Sequence, residues 1–168
     1  MTYFEDLSDY IYGGSRFRSL GTKSVGWLEP GYKFPRATPT NDLLDVVWEY
    51  CKISIAQTRG LHNCEFCPPG DWFFAERHGE RLTLGSSEIR VFGTDGVIYA
   101  APTLLYHYIS AHHYRPPDEF VRALVAGPRP PNQEYFDQLQ RLGLKWNETF
   151  VPAVNASRLK LGKQPMVE

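Results

Sequence analysis

Residues 60–72, GLHNCEFCPPGDW, contain His62, Cys64 and Cys67 in an H-x-C-x-x-C pattern, and these three side chains could bind a metal ion. A C-x-x-C turn lets two thiolates reach one ion at about 2.3 Å while backbone amides stabilise the sulfur charge, as zinc sites often do. If the chain before Cys64 is extended, His62 projects to the same side two residues earlier. The pattern therefore predicts half of a metal site, because complete zinc modules usually show a second ligand pair.

Two other chemistries are compatible with a cysteine pair. A thioredoxin-like redox pair needs its reactive cysteine at a helix N-terminus, and residues 68–70, Pro-Pro-Gly directly after Cys67, disfavour that placement. A zinc deaminase has an H-x-E motif followed by P-C-x-x-C. Here the H-x-E of residues 78–80 comes after the cysteines and is typical of a hairpin turn, and Asn63 rather than proline precedes Cys64. Both chemistries are therefore disfavoured.

The remaining metal ligands must come from elsewhere, and a predicted helix at residues 102–114 carries three histidines. With Leu105 at 0° and about 100° per residue, His112 lies at about 340°, in the middle of the apolar face. His107, at about 200°, and His113, at about 80°, lie away from that face. A buried imidazole needs partners for both nitrogens, and either a metal ion or core hydrogen bonds could supply them.

The predicted metal ligands are two thiolates and two imidazoles, a set that suits tetrahedral zinc. They are Cys64, Cys67, His112 and His62, with His107 as the alternative fourth ligand. If His62 binds, the site is closed and structural. If it does not, a water molecule could take the fourth position, with Glu65 or Glu80 as general base.

An α+β fold is predicted to position these ligands. Residues 41–55 carry one apolar stripe at helical spacing, and Cys51 lies on it, so we interpret Cys51 as a core residue. Short segments rich in aromatic or branched residues predict an antiparallel β-meander, since their connections are too short for crossover helices. These segments are residues 72–75, 81–84, 88–92 and 97–100. Alternation of Ile89 and Val91 with charged residues predicts one solvated face.

Helices at 102–114, 118–126 and 132–142 bring the predicted number of helices to about four. A short strand is also predicted at residues 25–28. No internal repeat or linker interrupts the chain, so residues 1–168 are predicted to form a single domain. Within it, residues 1–40 are predicted to be largely irregular and residues 143–168 a loosely packed tail.

Composition restricts the classes of function. The net charge of −1, with basic residues spread along the chain, disfavours a general nucleic-acid binder. No apolar run approaches the ~20 residues that span a bilayer, which predicts no membrane partner. The N-terminal MTYFEDLSDY does not resemble a signal peptide, so a cytoplasmic location is predicted. The three cysteines are then expected to be reduced rather than paired in disulfides.

Several segments, taken in order, resemble a family of small bacterial proteins of unknown function: DLSDYIY, VGWLEPGYKFP, RGLHNCEFC and GSSEIRVFGTDGVIYAAPTLLYHYISAHHYRPPDEF. The resemblance covers roughly residues 6–125, and its most specific parts are H-x-C-x-x-C and EIRV…YAAP…HYI…H.Y.PP. In the family pattern a single histidine follows HYI after two residues. That histidine maps to His112, and this chain adds His113 beside it. The resemblance implies an accessory protein of the kind found near bacterial toxin or conflict genes.

The favoured function is protein–protein recognition by a small zinc-stabilised accessory protein, for example an immunity protein that neutralises a toxin. Its expected partner is another protein, such as a toxin or conflict-system component. Aromatic residues of the N-terminal region are candidate binding residues: Tyr10, Tyr12, Phe17, Trp27, Tyr32 and Phe34. The alternative is a small zinc-dependent hydrolase or deaminase-like enzyme. A nucleic-acid binder that gathers Arg16, Arg18, Lys23 and Lys33 on one face is the least favoured function.

Overall fold

Four helices occur in the part of the chain described by the computed structural model, which covers residues 2–12, 21–70, 74–148 and 150–152. They are α1 (Asn41–Cys51), α2 (Leu105–His112), α3 (Asp118–Ala126) and α4 (Gln133–Arg141). Helix α1 begins where the sequence predicts, because the Thr40 side chain accepts a hydrogen bond from the Leu43 amide at 3.2 Å. Helix α1 ends at Cys51, and the apolar residues after it continue as a strand.

The strands form two separate sheets. They are β1 (Lys23–Ser24), β2 (Ile53–Ile55), β3 (Phe74–Arg77), β4 (Glu80–Thr83), β5 (Glu88–Phe92), β6 (Ile98–Pro102), β7 (Trp146–Glu148) and β8 (Phe150–Pro152). The larger sheet has the order β1-β6-β5-β2-β7, and the smaller has the order β3-β4-β8. Every pairing is antiparallel except that of β1 with β6. The predicted α+β class with four helices and mainly antiparallel strands is confirmed.

The predicted meander is divided between the two sheets. In the larger sheet β5 is a central strand that pairs with β6 on one side and β2 on the other, whereas in the smaller sheet β4 pairs with β3 and β8. All five residues of β5 are buried, so the predicted solvated face was wrong. Glu88 and Arg90 are only 4% and 1% exposed, and their side chains form an ion pair at 2.6 Å. The Tyr10 hydroxyl also donates to the Glu88 carboxylate, and these bonds offset the cost of burial.

The N-terminal region wraps against the larger sheet. Its only regular strand within residues 2–12 and 21–40 is β1, two residues before the predicted strand. Tyr10 and Trp27 pack with Ala100 in a small core cluster, and the Trp27 indole donates to the Ala100 carbonyl at 3.1 Å. Two predicted binding aromatics are therefore core residues. Tyr32 remains 52% exposed.

The main core lies between the larger sheet and the helices. Cys51 is 1% exposed within this core, as its place on the apolar stripe predicts. Trp48 of α1 packs against Tyr106 of α2 at 5.0 Å between ring centroids, so the two helices are in direct contact. This contact holds α2, with its histidines, against the core.

Several predictions fall beyond the described residues. Phe17, Arg16 and Arg18 lie outside them, as does most of the predicted tail from residue 153 onward. Before that point, β7 pairs with β2 and β8 pairs with β4. No helix within residues 2–12, 21–70, 74–148 and 150–152 has both the length and the apolar character needed to cross a bilayer.

Candidate metal centre

Four metal-binding side chains meet between the loop at residues 60–70 and helix α2. One ligand atom from each of Cys64, Cys67, His107 and His112 lies within 4.8 Å of all the others. Nε2 of His112 is 3.2 Å from Sγ of Cys64 and 3.3 Å from Sγ of Cys67. Nε2 of His107 is 3.4 Å from Sγ of Cys67 and 3.2 Å from Nε2 of His112. The four residues are close enough to bind a single metal ion.

The cysteines belong to a tight turn. The Cys67 amide donates to the Cys64 carbonyl at 3.3 Å, which closes the C-x-x-C segment. The backbone amides of Phe66 and Cys67 also act to lower the pKa of the Cys64 thiol. These amides stabilise negative charge on that sulfur, as the C-x-x-C pattern predicts.

The loop is held against the connection between β4 and β5, which contains Gly85 and Ser86. The His62 amide donates to the Gly85 carbonyl at 2.7 Å, and the Thr58 amide donates to the Ser86 carbonyl at 2.7 Å. Gly85 has a φ of 89°, and a Cβ at this position would collide with the His62 carbonyl oxygen. Only glycine permits this approach, so Gly85 helps to set the position of the cysteine turn.

His62 lies apart from the four-residue cluster. Its backbone bonds to Gly85 and its side chain is exposed, near Thr58 and Ser86 in a small crevice. The fourth member of the cluster is His107, which the sequence offered as the alternative to His62. The His62 amide is bonded to the Gly85 carbonyl, and residues 61–64 form no regular strand that would place the His62 and Cys64 side chains on one face.

The end of α2 determines which of the two adjacent histidines reaches the cluster. His112 is the last residue of the helix, and His113 adopts a left-handed conformation with φ 56° and ψ 28°. The amides of His113 and Tyr114 both donate to the Tyr108 carbonyl, closing the helix end. His113 is consequently exposed, and His112 keeps its helical direction toward the cysteines.

Phe66, between the two cysteines, covers one side of the cluster. Its ring lies 5.3 Å from that of His112, 6.0 Å from that of Tyr108 and 5.6 Å from that of Phe34. Phe66 is not among the residues predicted from the sequence, although an aromatic residue inside a polar C-x-x-C loop is a signal of packing. Phe66 joins the loop to α2 by apolar contact, independently of any metal ion.

Burial keeps both imidazoles neutral. Desolvation, followed by the neighbouring His112, lowers the pKa of His107 to about 4. Desolvation, followed by the Arg36 guanidinium, also lowers the pKa of His112. A neutral imidazole is the form that binds a metal ion.

The pKa of the Cys64 thiol responds to burial in the opposite sense. Burial raises the pKa of Cys64 to about 11, and the amides of Phe66 and Cys67 oppose that rise. A thiolate on the buried Cys64 would be unfavourable without a nearby cation, because its charge would be uncompensated. A divalent metal ion bound at the cluster would supply that compensation.

The carboxylates considered as general bases have other environments. Glu80 accepts hydrogen bonds from the Trp48 indole at 2.8 Å and from the Lys52 ammonium at 3.3 Å. His78 occupies the β3–β4 hairpin turn, with φ 52°, and its Nε2 lies 2.7 Å from Asp45. Glu65 is exposed on the cysteine turn. The H-x-E segment therefore belongs to a hairpin and its glutamate to a separate polar network.

Comparison with known proteins shows one family relationship. The chain matches the family described as Domain of unknown function (DUF7919) over residues 2–125. No curated protein and no solved structure matches the chain. The matched region contains all four cluster residues and ends within α3. Because the match covers well over half of its length, the chain belongs to the DUF7919 family.

Proposed function

We propose that Cys64, Cys67, His107 and His112 bind one zinc ion and that this ion is structural. The carrying observation is the separation of their ligand atoms. Zinc bonds of about 2.3 Å to sulfur and 2.0–2.1 Å to nitrogen give tetrahedral edges of about 3.6 Å for S···N and about 3.3 Å for N···N. Three of the four S···N distances here are 3.2–3.4 Å, and the N···N distance is 3.2 Å.

A structural role follows from the number of ligands. Catalytic zinc usually has three protein ligands and an open position, whereas this cluster offers four. Glu80, a carboxylate considered as general base, is bonded to Trp48 and Lys52. These contacts count against the hydrolase or deaminase-like alternative. The ion would join a loop to a helix more than 40 residues later and would contribute its binding free energy to folding.

We further propose that the zinc-stabilised protein acts by recognising another protein. The support is an exposed aromatic surface on the N-terminal region. The rings of Tyr3 and Tyr32 stack at 3.7 Å, and Tyr32 is 52% exposed. Exposed tyrosines are frequent contact residues in protein interfaces because they bury large area at little entropic cost. An immunity protein that binds a toxin is one protein of this class.

The test of the zinc site is metal analysis with X-ray absorption at the metal edge, on protein purified without added metal. We expect one zinc per chain, two sulfur and two nitrogen neighbours, and loss of zinc in Cys64→Ser and His107→Ala. His62→Ala is the matched control and should retain zinc. One sulfur neighbour fewer, an added oxygen neighbour, or zinc loss in His62→Ala would contradict the proposed ligand set.

The recognition proposal is tested by cross-linking in cells of the source organism, followed by measurement of direct binding with purified components. Tyr32→Ala should weaken binding of the identified protein, whereas Val125→Ala, at an exposed position on α3, should not. Equal binding by wild type and Tyr32→Ala would place recognition elsewhere on the surface.

A further inference from the structure

A cleft of about 430 Å³ lies beside the stacked tyrosines, between the N-terminal segment and the start of α3. The rings of Tyr3, Phe4 and Phe34 line it, together with Pro116 and Pro117. Its size is within the range of ligand-binding pockets, which combine apolar walls with a few polar groups. None of the four cluster residues is among its lining residues.

The carboxylate of Asp6 also lines this cleft and is half-buried. Its two oxygens accept hydrogen bonds from the Gly26 amide at 2.9 Å and from the Tyr114 hydroxyl at 2.7 Å. Both donors are neutral. Within the described part of the chain, no Lys or Arg forms an ion pair with Asp6, so its negative charge is solvated without being neutralised.

The electrostatic environment of this carboxylate is negative. Burial, then the charge of Glu5, raises the pKa of Asp6 against the effect of its two hydrogen bonds. Burial, followed by the charges of Glu5 and Asp6, also raises the pKa of Tyr3. A cation in the cleft would therefore meet both an unneutralised carboxylate and the negative faces of aromatic rings.

Two cationic residues also line the cleft, and they differ in their partners. The Arg115 guanidinium donates to Asp118 at 3.0 Å, which balances its charge locally. Lys33 is exposed and forms no ion pair with Asp6 within the described residues. Neither residue supplies the missing countercharge.

We propose that this cleft binds a lysine or arginine side chain of a partner protein, with Asp6 as the countercharge and the rings of Tyr3, Phe4 and Phe34 as its walls. The inference rests on the proposed recognition function and names the chemistry of the residue recognised. A cation–π contact already occurs at this wall, because the Arg36 guanidinium lies 4.6 Å from the centroid of the Phe34 ring. The ligand cation would add an ion pair to a partly desolvated carboxylate, where screening is weaker than at the open surface.

The test is an NMR titration of zinc-loaded full-length protein with N-acetyl-arginine amide. N-acetyl-citrulline amide is the matched probe, since it has nearly the same shape without the charge. We expect the arginine probe to shift the amide resonances of Glu5, Asp6 and Arg115 saturably, and the citrulline probe to bind at least about tenfold more weakly. Equal responses to the two probes, or shifts only elsewhere, would overturn the inference.

Asp6→Asn is the variant that removes the countercharge. An asparagine can still accept from the Gly26 amide and can donate to the Tyr114 hydroxyl, so the fold is expected to be retained. Asp42→Asn, at an exposed position in the first turn of α1, is the charge-matched control. Arginine binding should weaken about tenfold or more in Asp6→Asn and remain unchanged in Asp42→Asn.

Zinc content measured on the same samples separates this inference from the metal proposal. If wild type contains one zinc per chain but does not bind the arginine probe, the cleft inference alone is overturned. If wild type contains no zinc but binds the arginine probe, the metal proposal alone is contradicted. Arginine-bearing proteins that bind only outside the cleft would support recognition but reject this site. Saturable shifts of the same resonances by N-acetyl-glutamate, without shifts by the arginine probe, would show an anion site at Lys33 and reject the proposal.

Discussion

His107 and His112 place their Nε2 atoms 3.2 Å apart, although they are five positions apart along α2. Five residues of helix correspond to about 500°, or a net rotation of about 140°, so the two side chains leave the helix in different directions. Their rings nevertheless converge on the cysteine turn, with centroids 5.0 Å apart and each Nε2 within 3.4 Å of the Cys67 sulfur. The helical angle calculated from the sequence put His107 on the opposite side of α2 from His112, whereas both side chains belong to the cluster.

The first prediction contrasts two histidines of the same segment. His107→Ala should lower zinc affinity by more than about 100-fold, because replacing even an outer residue around a metal site costs 10–100-fold. His113→Ala should leave affinity unchanged, since His113 is exposed beyond the helix end. Competition titration with a chromophoric chelator measures both. Similar losses in the two variants would mean that the ligand assignment at this end of α2 is incorrect.

Thiol reactivity should report metal release. With zinc bound, Ellman's reagent should react slowly with the folded protein, and a chelator should expose Cys67 first, because it is half-buried whereas Cys64 is buried. Cys51 should react only on unfolding, since burial raises its pKa to about 12.

The control for this measurement is Cys51→Ala, which should show the same chelator-dependent reaction of the other two cysteines as wild type. Reaction rates that are the same with and without chelator would contradict metal binding by the thiols.

Gly85→Ala should destabilise the protein and weaken zinc binding together. Its φ of 89° is unfavourable for alanine, and the added methyl group would collide with the His62 carbonyl. Gly79→Ala is the matched control, because Gly79 has a similar φ of 75° but open space around it. We expect Gly85→Ala to cost more than the roughly 1–2 kcal/mol of left-handed strain that both variants share.

Urea unfolding and zinc titration of the two glycine variants test this expectation. If Gly79→Ala proves as harmful as Gly85→Ala to zinc affinity, the approach of the 60–70 loop to Gly85 does not position the cysteines.

Glu88→Gln should be strongly destabilising, by about 3–5 kcal/mol, because it removes the carboxylate facing the buried Arg90 guanidinium. Tyr10→Phe removes only a hydroxyl that donates to Glu88 and should cost about 1 kcal/mol. The free energy of unfolding in urea, at constant zinc concentration, distinguishes them. If Glu88→Gln is as stable as Tyr10→Phe, the buried ion pair contributes little to the free energy of unfolding.

Local sequence patterns determined much of the secondary structure and half of the site. The start of α1 follows from the Thr40 cap, and Cys51 is a core residue because it lies on the apolar stripe that follows. The closeness of Cys64 and Cys67 is set by a four-residue turn, and the placement of His112 follows from its helix face. These features depend on contacts between near neighbours, which composition and periodicity record.

Only the tertiary structure decided the fourth member of the cluster and the division of the strands. The His62 side chain is exposed, and its backbone is bonded to Gly85 in the connection between β4 and β5. His107 of α2 instead lies within 3.4 Å of the Cys67 sulfur. The charged residues of β5 looked solvated in sequence, but Tyr10, 78 residues away, completes their buried network. Such contacts join residues distant in the chain, and no local pattern of side chains specifies which distant partners will meet.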